Sequence, residues 1–127
     1  MQTKNRTFNL GKIKINDTSP VSIITEIGIN HSGSLNEAYK LVDLAKKNGS
    51  KIIKVQIHIP DEEMSKEARK IKPGNSDDNI FNVIANNSLN LAEELKLKNY
   101  IENKKLFYLA TPFSFFSVDW LIKNKIK

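Results

Sequence analysis

The chain has 127 residues, 39% of them apolar and 27% charged, and its 20 basic against 14 acidic side chains leave a net charge of +6. That length suits one domain with a core of its own and is too short for two ordinary ones. The absence of cysteine excludes a disulfide framework, a zinc-thiolate cluster and a cysteine nucleophile. No stretch reaches the ~20 apolar residues of a membrane span, so no membrane partner is expected. Nor do the first ten residues carry the apolar run of a secretory signal. The expectation is a cytoplasmic protein. All the basic residues except Arg6 and Arg69 are lysines scattered along the chain, so no nucleic-acid partner is expected either.

In chain order, residues 7–15 alternate around Gly11, with Phe8 and Leu10 before it and Ile13 and Ile15 after it, which predicts a small β-hairpin. Asp17-Thr-Ser-Pro20 is the turn that ends it. Residues 21–30 are β-branched and nearly continuously apolar, the pattern of a strand buried on both faces in a parallel sheet. After His31-Ser-Gly33, the segment Ser34-Leu-Asn-Glu37 reads as a capping box. Leu35, Ala38, Leu41, Val42 and Ala45 then recur at helical spacing up to Lys46, Lys47 and the stop at Gly49. Lys51–Ile59 is a second strand, so residues 21–59 form a βαβ unit.

Pro60 closes that strand, and residues 60–79 form a long polar loop with a turn at Lys72-Pro-Gly-Asn75. A short helix over 80–86, a longer one over 91–103, a third strand over 106–110 ended by Thr111-Pro112, and a helix over 115–123 complete the chain. The alternation predicts an α/β protein with a parallel sheet.

Ligands of such sheets bind at the carboxyl ends of the strands. The strand over 21–30 brings Glu26 and Asn30 to one face there. In the next strand Ile53, Val55, Ile57 and Ile59 fall on one face and Lys54, Gln56 and His58 on the other. Three polar groups on an inner face are costly unless partnered, and an anionic ligand in a barrel lumen would partner them. The alternative is the wet face of an antiparallel or edge strand. Thr111 ends the third strand with a hydroxyl suited to phosphate or carboxylate, and Ser114 precedes a helix whose amides favour anions. Taken singly, Glu26 reads as an ordinary paired carboxylate, His58 as a satisfied structural histidine and His31 as a loop residue. Asp61-Glu62-Glu63 reads as a solvated acidic loop. Two histidines without matching spacing do not make a metal site.

Glu26-Ile-Gly-Ile-Asn-His31 with Ser32-Gly-Ser34 resembles the first strand and loop of the sialic acid synthase family. Lys51–Ile59 resembles its second strand, Asp61-Glu-Glu-Met-Ser65 and Pro73-Gly-Asn75 the following loop, and Thr111-Pro-Phe-Ser114 the end of its third strand. The loop segment is nearest the N-acetylneuraminate synthases. The resemblance implies the N-terminal portion, about three βα units after a hairpin and turn over 1–20, of a (β/α)₈ TIM barrel. It implies condensation of phosphoenolpyruvate with N-acetylmannosamine to sialic acid and phosphate, a step in polysaccharide precursor synthesis. By position Lys54 and Thr111 would hold phosphoenolpyruvate with Gln56 and Ser114 nearby, Glu26 would lie at the reacting sugar, and Asn75 would contact the sugar. Glu26 and Lys54 are thus the expected catalytic pair.

The resemblance also implies a divalent metal, Mn²⁺ or Mg²⁺, whose two histidine ligands lie in a later part of the family's barrel and not in this chain. It leaves a homodimer open for a full-length protein. Val55 and Ile57 stand where the family usually has His and Thr, a change expected to alter packing only. The second half of the barrel and the family's C-terminal antifreeze-like domain are not in residues 1–127, so a truncated frame, a split gene or a fragment is expected, inactive and poorly folded alone. Two further readings are a sister synthase of legionaminic or pseudaminic acid, and a non-catalytic remnant that keeps only an anion site.

Overall fold

The computed structural model describes residues 6–126; residues 1–5 and Lys127, which enter the reading of the N-terminus and of the domain bounds, lie outside the described residues. Strands β1 (Thr7–Leu10) and β2 (Ile13–Asn16) form the predicted antiparallel hairpin, turning at Gly11 with φ +59°. A Cβ on Gly11 would come within 2.7 Å of the Phe107 ring, so only glycine lets the turn lie on that side chain. Strands β3 (Ile24–Ile27), β4 (Ile52–Ile57) and β5 (Phe107–Pro112) form a parallel sheet with β4 in the middle.

Helices α1 (Leu35–Lys47), α4 (Leu91–Asn103) and α5 (Phe115–Lys123) lie close to the sequence expectation. Between β4 and α4 come α2 (Pro60–Glu63), a single 3-10 turn at Ala68–Lys70, and α3 (Ile80–Asn87). Among the described residues no helix is long and apolar enough to cross a membrane.

The core forms where the helices meet one face of the sheet. Ile27, Ile53, Val55, Ile57 and Tyr108 pack there with Ala38, Val42 and Ala45 of α1, Leu97 and Ile101 of α4, and Leu121 of α5. Val55 and Ile57 thus face the helices, as their alternation requires. The opposite face carries Glu26, Lys54 and Leu109 in register, then Gln56 and Thr111.

Four local expectations change. The first strand of the parallel sheet is four residues rather than ten, and Val21 and Ile23 are 93% and 72% exposed. The apolar run predicts burial on both faces, yet of this strand only Ile27 joins the core. The third strand extends past Ala110 to Pro112, because Thr111 and Pro112 keep register with Gln56 and Ile57 and the next amide, Phe113 N–H, still donates to Ile57 O. Ser34 accepts from the Glu37 amide, but Glu37 turns its carboxylate to Lys40 instead of closing the capping box. The 60–79 loop is partly helical and clamped: Arg69 donates to Asp61 Oδ1 and to the Asp61 carbonyl, and stacks over Phe81.

Glu94 is 3% exposed in α4, and its Oε2 has no hydrogen-bond partner. Burial, with the neighbouring charge of Glu93, pushes its carboxyl up to about 8. The unfolded chain ionises this group near the ordinary value of 4.5, so between there and about 8 the folded state binds more protons. Stability from this group is therefore lost as pH rises through that window and levels off above it. Urea denaturation should give a lower midpoint at about pH 9 than at about pH 6, and Glu94→Gln should flatten the difference, an effect of a few kcal/mol. An equal pH dependence in both proteins would contradict this.

Candidate functional site

The polar face of the sheet is built on β4. Lys54 and Gln56 alternate with Val55 and Ile57, so burying the apolar set against the helices turns the polar set to the other side. Glu26 of β3 lies in register with Lys54, and their side chains form an ion pair of 3.1 Å. The Gln56 amide donates to the other Glu26 oxygen at 2.7 Å. The Lys54 ammonium and the Gln56 amide hold the Glu26 carboxyl below its ordinary value. Lys54 keeps two further N–H groups beyond the one aimed at Glu26. Thr111 of β5 lies in register beside Gln56 on the same face.

Past the strand end, His58 Nε2 faces Gln56 Oε1 at 3.3 Å, and His58 Nδ1 lies 2.9 Å from Glu63 Oε2. The other Glu63 oxygen accepts from the Ile59 amide. His58 stacks on Phe113 with 4.3 Å between ring centroids. The side chains of His58 and Glu63 are 7% and 6% exposed, so Glu63 is not part of a solvated acidic loop. The short turn at Pro60–Glu63 folds that carboxylate back under the strand end. A Cβ on Gly28 would lie 2.8 Å from Gln56 Oε1, so this glycine makes room for the amide.

The remaining expected residues are placed differently. Ser114 is the N-cap of α5: its hydroxyl accepts from the Ser117 amide and donates to the Ser117 hydroxyl. Its own amide donates to Ser117 as well. Both groups are thus spent within the helix start. Asn75 is exposed in the loop beyond the 3-10 turn, and Asn30 is exposed in the turn after β3. His31 is buried, with Nδ1 accepting from the Gly33 amide, and burial lowers its pKa.

Glu63 and Gly28 are the site residues that sequence reasoning missed. The available signal was the (i, i+5) spacing of His58 and Glu63 across a proline.

The histidines do not fit a divalent-ion site. Both nitrogens of His58 face Glu63 and Gln56, and His31 Nδ1 is taken by Gly33. Among the described residues no three His, Asp or Glu side chains gather to hold a metal. Metal chemistry is not assigned to these residues.

The depressed Glu26 carboxyl predicts a titration. The ion pair persists above the ordinary carboxylate range and is lost only as pH falls through the lowered pKa. Carboxyl ¹³C NMR should place the Glu26 midpoint below that of an unperturbed glutamate, and Lys54→Met should move it up. A midpoint insensitive to Lys54→Met would show that the pair does not set the charge state.

Comparison with known proteins connects this geometry to one family. The family model described as the NeuB family matches residues 41–127. The spore coat polysaccharide biosynthesis protein SpsE of Bacillus subtilis is 30% identical over 105 residues, covering 82% of this chain and 28% of its own length. The N,N'-diacetyllegionaminic acid synthase of Campylobacter jejuni is 31% identical over 109 residues, covering 83% of this chain and 33% of its own. The crystal structure of N-acetylneuraminic acid (sialic acid) synthetase from Leptospira borgpetersenii, in complex with citrate, superposes with a TM-score of 0.79 at 27% identity. That match covers 99% of this chain and 41% of the neighbour. The chain spans roughly a third of the length of these curated relatives. With this match over more than half its residues, the chain belongs to the NeuB family.

Proposed function

We propose that the chain is the N-terminal part of a (β/α)₈ barrel synthase, acting in the cytoplasm, that condenses phosphoenolpyruvate with N-acetylmannosamine and releases phosphate. The observation that carries this reading is the Glu26–Lys54–Gln56 cluster on the helix-free face of a parallel sheet, beside the Thr111 hydroxyl. The superposition on a sialic acid synthetase and the likeness of the 61–75 loop to the N-acetylneuraminate synthases support it.

In this reading Lys54 directs its two spare N–H groups, with the Thr111 hydroxyl, at the anionic groups of phosphoenolpyruvate. Gln56 orients the ionised Glu26 carboxylate, which accepts from a hydroxyl of the open-chain sugar or moves a proton there as the enol carbon attacks the aldehyde. Water then adds to the resulting cationic carbon, and its C–O bond to phosphate breaks. Asn75 contacts the sugar from the loop that Arg69 clamps. Ser114 contributes by starting α5 next to Thr111, its polar groups being engaged within the helix. The divalent ion implied for the family would supply Lewis acidity toward the aldehyde, held by residues other than these.

A second acceptor, a legionaminic acid precursor, has one specific observation in its favour: the legionaminic acid synthase aligns with 83% of the chain. The two readings differ in the sugar and share the phosphoenolpyruvate site.

The test is steady-state kinetics on the complete protein carrying Lys54→Ala. Loss of a charge-assisted contact should cut kcat/KM for phosphoenolpyruvate by about 10- to 100-fold, with a smaller effect on the sugar KM. Unchanged parameters for phosphoenolpyruvate would overturn the role of Lys54. Turnover with the N-acetylmannosamine and legionaminic acid precursors side by side decides between the acceptors.

A further inference from the structure

A continuous line of side chains runs from α2 into the polar face: Glu63 to His58, His58 to Gln56, Gln56 to Glu26, Glu26 to Lys54. Its directions are fixed by what each group can donate. An ionised Glu26 only accepts, so the Gln56 NH₂ must point at it. Gln56 Oε1 is then left facing His58 Nε2, which must carry a proton to donate to it. At the other end one Glu63 oxygen is committed to the Ile59 amide, and the second, which can only accept, meets Nδ1 as the donor. Stacking on Phe113 fixes the plane of the ring. Gln56, with three rotatable bonds, would otherwise be free to swing its amide away from Glu26.

We propose that Glu63 is a positioning residue of the polar face: through the buried His58 ring it fixes the Gln56 amide and hence the orientation of Glu26 beside Lys54. The proposal rests on the reading of that face as the phosphoenolpyruvate site, and it gives the Asp61-Glu62-Glu63 turn a role at a site it does not touch.

NMR of the complete protein, with its histidine and glutamine side chains labelled with ¹⁵N, tests it without an activity assay. Within residues 1–127 the histidines are His31 and His58 and the glutamines Gln2 and Gln56, and loss of a signal on substituting His58 or Gln56 assigns it. In the unsubstituted protein, long-range ¹H–¹⁵N spectra should show both His58 nitrogens protonated. The Gln56 amide protons should exchange about tenfold more slowly than those of a free glutamine. Free exchange of that amide would overturn the proposal.

Glu63→Gln keeps an acceptor for the Ile59 amide but turns an NH₂ toward the ring, so His58 Nδ1 should lose its proton while Gln56 stays protected. Glu63→Ala should bring Gln56 exchange to the free rate. An unchanged Nδ1 in Glu63→Gln overturns the proposal even where Glu63→Ala fails to fold. Unchanged signals in a folded Glu63→Ala protein do the same. Adding phosphoenolpyruvate to the same samples separates the two readings: the expected ring and amide signals with no response to phosphoenolpyruvate would uphold the positioning role and count against the anion site.

Discussion

Strand β4 has to be dry on one side and polar on the other, and the rest of the structure depends on that constraint. Ile53, Val55 and Ile57 are almost wholly buried against the helices. Because side chains alternate, this forces Lys54 and Gln56 onto the face the helices leave free. Placing β4 in the middle of the sheet brings Glu26 of β3 and Thr111 of β5 to either side of that pair. A one-residue slip of β4 would exchange the two faces, bury a lysine among isoleucines and dissolve the cluster. Fold and site are therefore specified by the same strand.

The polar face is stabilised by reciprocal pairing rather than by burial. Lys54 and Glu26 are both partly exposed, so their attraction is screened and contributes little to stability. Its consequence is orientation: the carboxylate stays ionised and aimed, and the ammonium keeps two further N–H groups. The buried pair of His58 and Glu63 lies deeper and sets the geometry of the exposed one. The turn after Pro60, tied to Arg69 through Asp61, brings Glu63 back to the strand end.

The elements were legible in the sequence where local chemistry decides them. Alternation in Lys51–Ile59 separated the two faces of β4, and helical spacing after Ser34 located α1. What depended on tertiary folding was hidden. Glu63 sits among three acids that look solvated, and its burial follows from the turn after Pro60. Glu94 occupies a helix surface pattern, Ala92-Glu93-Glu94-Leu95, yet points inward toward the core. Val21 and Ile23 look like core residues, but nothing among the described residues covers them. The place of Ser114 before a helix suggests an anion contact, and capping uses the same property inside the chain. Membership of the NeuB family, by contrast, was carried by short ordered motifs that survive at about 30% identity.

The most direct test is a crystal structure of the complete protein with phosphoenolpyruvate. Its carboxylate or phosphate should lie within hydrogen-bonding distance of Lys54 Nζ and the Thr111 hydroxyl, on the helix-free face of the sheet, with Gln56 still donating to Glu26. Phosphoenolpyruvate bound elsewhere, or bound there with Lys54 turned away, would contradict it.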